Sequence, residues 1–137
     1  MDRSAKRELA FKFLYSMEIQ KKSEDENMET LVKLFIESNN IIDDLANKYV
    51  LDIANGVNDN LEKILVIISE NLKVEWQIER ISKVNISLLK LAIYEILYKK
   101  VPFKIVINEV VELAKRYGED QSSSFINGVL ANVVKEI

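Results

Sequence analysis

One proline and three glycines are all that force a break in 137 residues, so the backbone has few places where a helix must stop. They are Pro102, Gly56, Gly118 and Gly128. Elsewhere apolar residues recur at spacings of three and four, the period of one helical face, and the two-residue alternation of half-buried strands is scarce. An all-α chain is the expectation. At this length a single domain buries roughly two-thirds of its unfolded surface, and 48% apolar with 30% charged residues is enough to order it.

The periodicity predicts about seven short helices, with one still shorter segment among them. The first covers about Ser4 to Gln20, with Ala10, Phe13, Leu14 and Met17 on one face. A polar loop is expected over 21–27, then a helix from Met28 to Glu37. Two more are expected at Ile42 to Asn55 and Val57 to Asn71, parted near Gly56, and a short one at Glu75 to Ile81 holding Trp76. The segment Asn85 to Lys99 is apolar nearly all round, which marks a buried centre, with Asn85 as its N-cap. The last two cover Lys104 to Tyr117 and Ser122 to Lys135, with a left-handed stop at Gly118 and a close helix contact at Gly128. No repeat is visible, so residues 1–137 read as one domain in a compact bundle.

What is missing narrows the function. With no cysteine and no histidine, thiolate chemistry, serine and cysteine triads, and His- or Cys-ligated metals are excluded. The glycines stand too far apart for a phosphate-cradling loop, and no cofactor is expected. Carboxylate pairs such as Asp43/Asp44, Glu109/Glu112 and Glu119/Asp120 lack a nucleophile and read as solvated faces. This is not the inventory of an enzyme. Apolar runs fall short of the ~18 residues of a membrane span, and the opening MDRSAKRE lacks a secretory core, so a cytoplasmic protein is expected.

Three places remain for binding. From Met1 to Lys22 there are six basic residues against three acidic ones, although the whole chain carries −3. Arg3, Lys6 and Arg7 fall on the side of the first helix that becomes its apolar stripe. They therefore either meet acidic partners or face solvent as a small cationic ledge. Phe11 and Tyr15, continued by Glu18, form a second stripe that packs on a neighbouring helix or receives another protein. Lastly, the connector Glu119-Asp120-Gln121-Ser122 precedes a helix start that favours anions. Phe125, one turn in, is either a core residue or a ring for stacking an unpaired base.

The stretches SAKRELAFKFLYSME, LLKLAIYEI and PFKIVINEVVELAKRYG with SFINGVL stand in an order that resembles the NusB family. The resemblance is strong at both ends of the chain and weaker between about Lys22 and Val57. It implies a fold of two packed helical sub-bundles. It also implies a non-catalytic antitermination factor that binds single-stranded boxA RNA of nascent ribosomal RNA transcripts together with NusE, within an RNA polymerase complex. On this resemblance Arg3, Lys6 and Arg7 imply phosphate contacts, and Phe125 with Glu119, Asp120, Gln121 and Ser122 implies base contacts. Tyr15, Glu18 and Asn85 imply the NusE surface. Asn85 stands where an acidic residue is common in the family, and Gln121 at a connector position that is acidic in some members. Two alternatives keep the fold: an RNA-binding module of a ribosomal-RNA methyltransferase, disfavoured by the missing cofactor motif, or a self-associating protein that hides the ledge in a homodimer.

Overall fold

The computed structural model describes residues 1–20, 27–73 and 77–137. These form seven α-helices and no strand: α1 (Arg3–Gln20), α2 (Met28–Ser38), α3 (Asp44–Asp59), α4 (Leu61–Glu70), α5 (Lys83–Ile93), α6 (Phe103–Tyr117) and α7 (Ser122–Lys135). A 3₁₀ turn at Ile78–Arg80 precedes α5, and a π-helical turn at Tyr94–Tyr98 prolongs it. The loop and short helix expected over 21–27 and 75–81 lie partly outside the described residues, as does Trp76.

Local chemistry fixes several starts. The Asn27 side chain accepts the Thr30 N–H at 3.2 Å, and Asp43 accepts those of Leu45 and Ala46 at 3.0 and 3.1 Å. Each satisfies backbone donors that a helix start leaves orphaned. The cap of α5 is Ser82, whose Oγ accepts the Asn85 N–H at 3.1 Å. Asn85, expected as the cap, is instead inside the first turn.

Helices α1 to α3 make one sub-bundle, with α3 packed on both others, and α4 to α7 make the second. Between them runs α5, against α1, α4, α6 and α7. Leu88, Leu89, Leu91, Ala92 and Ile93 are all fully buried, as a segment apolar on every side requires.

The glycines act differently from the expectation. The break after α3 comes at Asn60, while Gly56 lies within α3, where a Cβ would fall 2.0 Å from the Tyr94 ring. Gly118 has φ −95°, which is not left-handed. A Cβ there would meet Ser122 Oγ at 2.4 Å and the Ala114 carbonyl at 2.8 Å, so close approach demands the glycine. Around Gly128 a Cβ would meet nothing within 4 Å, so the expected tight contact does not exist.

Candidate nucleic-acid interface

Side-chain contacts set α1 alongside α6 in the same direction. Ser4 Oγ donates to Glu109, Tyr117 Oη donates to Glu8, and Arg116 pairs with Glu8 at 3.2 Å. The Phe11 and Tyr117 rings lie 5.3 Å apart, and Tyr15 continues the row 6.1 Å from Phe11. Phe11 itself is buried, so of the second stripe Tyr15 and Glu18 keep surface.

Of the three basic residues at the start of α1, Arg3 is exposed, Lys6 is half-buried, and Arg7 is 3% exposed. Arg7 Nε donates to both Glu95 oxygens at 3.0 and 3.1 Å, Nη2 to Glu95 at 2.8 Å, and Nη1 to Glu109 at 3.1 Å. Tyr49 Oη from α3 also donates to Glu95. The expected phosphate contact at Arg7 is thereby corrected: its fork is filled by carboxylates inside the protein. Burial works against the guanidinium charge, but the hydrogen bonds and charge of Glu95 outweigh it and hold Arg7 above its ordinary value. Burial, then Glu95, pushes the Tyr49 phenol strongly upward. A bidentate, desolvated pair of this kind ties three helices and the π turn together.

Beyond Arg7, the Lys12 Nζ of α1 and the Arg116 guanidinium of α6 each lie 5.7 Å from the Tyr117 ring centroid, within cation–π range. Both also face Glu8, at 3.8 and 3.2 Å. Hydrogen bonding from Tyr117, with the charges of Arg116 and Lys12, holds the Glu8 carboxyl below its usual range despite partial burial. The sequence reading missed this cationic and aromatic strip, because its members come from two helices about a hundred residues apart.

The connector follows Tyr117 directly. Glu119, Asp120 and Gln121 are exposed, and Gln121 occupies the N-cap position without a side-chain cap bond. Ser122 is 3% exposed and its Oγ accepts the Glu119 N–H at 2.9 Å, so it shapes the turn and has no surface for a ligand. Phe125 is half-buried against the core. The structure thus places Lys12, Arg116, the connector and Phe125 toward one end of α6, and Arg3 and Lys6 two to three helical turns back along α1.

The expected protein-partner residues lie at the far end of α1. Glu18 pairs with Lys90 of α5, and both line a cleft of about 520 Å³ with Leu65, Val66, Ile78 and Ile86. Asn85 Oδ1 is buried with no hydrogen-bond donor among the described residues. Among the described residues no cluster of acidic side chains could hold a metal ion, and no helix is long and apolar enough to cross a membrane.

The NusB family pattern matches residues 4–135. A transcription antitermination protein NusB of Acetivibrio thermocellus is 43% identical over 136 residues, spanning 98% of this chain and 90% of its own. The namesake of Clostridium acetobutylicum is 42% identical over 135 residues, spanning 98% and 96%. Among solved structures, T. maritima NusB superposes with a TM-score of 0.87 at 33% identity, covering 99% of this chain and 92% of that one. A crystal structure of antitermination factors NusB and NusE in complex with dsRNA aligns at 0.83 and 28% identity, covering both chains fully.

Proposed function

Because the chain belongs to the NusB family, we propose that it is a non-catalytic, cytoplasmic adaptor holding single-stranded boxA RNA of nascent ribosomal RNA transcripts together with NusE, in a termination-resistant polymerase complex. The observation that carries the RNA part is the α1–α6 seam. Arg3 and Lys6 lead along it to Lys12, Arg116 and the Tyr117 ring, where the exposed connector and Phe125 begin. Cations track a phosphate backbone and aromatic rings stack unpaired bases regardless of sequence. Residues 1–137 act in this reading as one RNA-binding domain. NusE docks near Tyr15, Glu18 and Asn85, where the cleft and the unsatisfied Asn85 oxygen lie.

The test is RNA binding to a boxA oligonucleotide and a scrambled control, each with and without NusE. Tighter binding of boxA, strengthened by NusE, is expected. Equal binding of both oligonucleotides with NusE present would overturn the sequence-specific part. With Arg3, Lys6 and Lys12 on phosphates, log affinity falls against log salt with a slope near −2, at about 0.7 per contact for a single strand.

A further inference from the structure

The seam between α1 and α6 holds two arginines on carboxylates, in two different ways. Arg7 is sealed against Glu95 and Glu109, its side chain 4% exposed. Toward the connector, Arg116 meets Glu8 in the open. Its Nη1 lies 3.2 and 3.4 Å from the two Glu8 oxygens, and its side chain is 57% exposed. Lys12 Nζ stands 3.8 Å from the same carboxylate, and the Tyr117 hydroxyl donates to it. Among the described residues Glu8 is the only carboxylate within 4.0 Å of either cation.

A guanidinium, an ammonium and a hydroxyl converging on one oxyanion are the donors that hold a phosphate. Here they serve a side chain of the same protein. Both cations also stand over the exposed Tyr117 ring, so they occupy surface on which a base would stack. The two arginine pairs differ in what releasing them costs. Removing a partner from the desolvated Arg7 pair strands a buried charge, whereas an exposed pair returns to water at little loss. Glu8 can therefore give up its donors to another anion, and Glu95 cannot.

We infer that Glu8 sets the affinity of this strip for RNA: its carboxylate stands on Arg116 and Tyr117 in the place of an RNA phosphate, and RNA competes with it for them. The inference rests on the RNA-binding reading above and deepens it, giving that surface a built-in competitor. A competitor carried on the same chain acts at every protein concentration, because dilution does not remove it. Glu8 is in this sense an affinity-setting residue that touches no RNA itself.

The experiment measures binding of a boxA oligonucleotide to the protein with NusE, comparing wild type with Glu8→Gln. The amide keeps an acceptor for Tyr117 but releases the charge of Arg116, so binding should tighten roughly two- to five-fold, the weight of an exposed ion pair. Misfolding weakens binding and cannot imitate that gain. Adding Arg116→Gln to Glu8→Gln should remove it. Glu112→Gln makes the same change in net charge on α6, where Glu112 faces Lys115 at 3.2 Å, and should gain less. Unchanged or weaker binding by folded Glu8→Gln, an equal gain from Glu112→Gln, or a gain that survives the loss of Arg116 each overturns the inference while leaving the adaptor reading intact. Should Glu8→Gln fail to fold, Glu8→Asp, its carboxylate one methylene short of Arg116, decides by the same gain. Failure of both to fold would show the carboxylate to be indispensable, not exchangeable, and overturns the inference too. Wild-type protein that binds no RNA with or without NusE removes both.

Discussion

Arg7 shows how far one residue's setting governs its role. Its guanidinium is the counter-charge of Glu95, which is 1% exposed. Replacing it by methionine keeps the volume but strands a buried carboxylate, and is expected to cost about 3–5 kcal/mol in a urea titration. Arg7→Glu would set a third acid beside Glu95 and Glu109, so a loss of RNA binding in that variant would report unfolding. Arg3→Glu carries the clean test: weaker RNA binding with an unchanged unfolding midpoint. Phe125→Leu keeps apolar packing but removes the ring, and should lose about 1–3 kcal/mol of RNA affinity, the worth of one stacked base. Gly128, in open space on α7, can accept a methyl group. Gly128→Ala should raise stability by up to about 1 kcal/mol. The burial of Arg7 was half legible: its place on an apolar stripe demanded either a partner or solvent. The choice lay in Glu95, 88 residues away, which no local pattern reveals.

At the scale of elements, periodicity recovered the helices because each buries one face, and it recovered α5 because that helix buries all of them. Their ends were less legible. Gly56 looked like a break because glycine weakens helices, yet Tyr94 needs the space above it. The π turn has no signature in residue type, and the aromatic strip exists only once α1 and α6 are aligned. That alignment has a pH signature. Glu8 ionises more easily folded than unfolded, so its contribution is complete above its ordinary value of 4.5 and is lost as pH falls through the depressed one. Acid titration of the wild type should therefore show a stability loss beginning below about pH 4.5 that Glu8→Gln shares less steeply. Equal slopes would mean that Glu8 does not hold the seam.

For the whole molecule, the proposed contacts are spread over α1, the end of α6 and the start of α7, while the cleft beside α5 is left for a protein. Such an adaptor should run in sedimentation as one copy each of this chain, NusE and RNA. A doubled chain mass with RNA excluded would point to self-association. The long reach of the Arg7–Glu95 pair has a further consequence, for the chain as it is being made. A ribosome adding about 5–20 residues per second needs roughly 4–18 s to travel from Arg7 to Glu95. For that interval the first helix synthesised has no partner for its arginine and no α5 to lie against. Helix α1 can pack on α3 as soon as that helix is made, but its buried arginine stays uncompensated until α5 and the π turn follow.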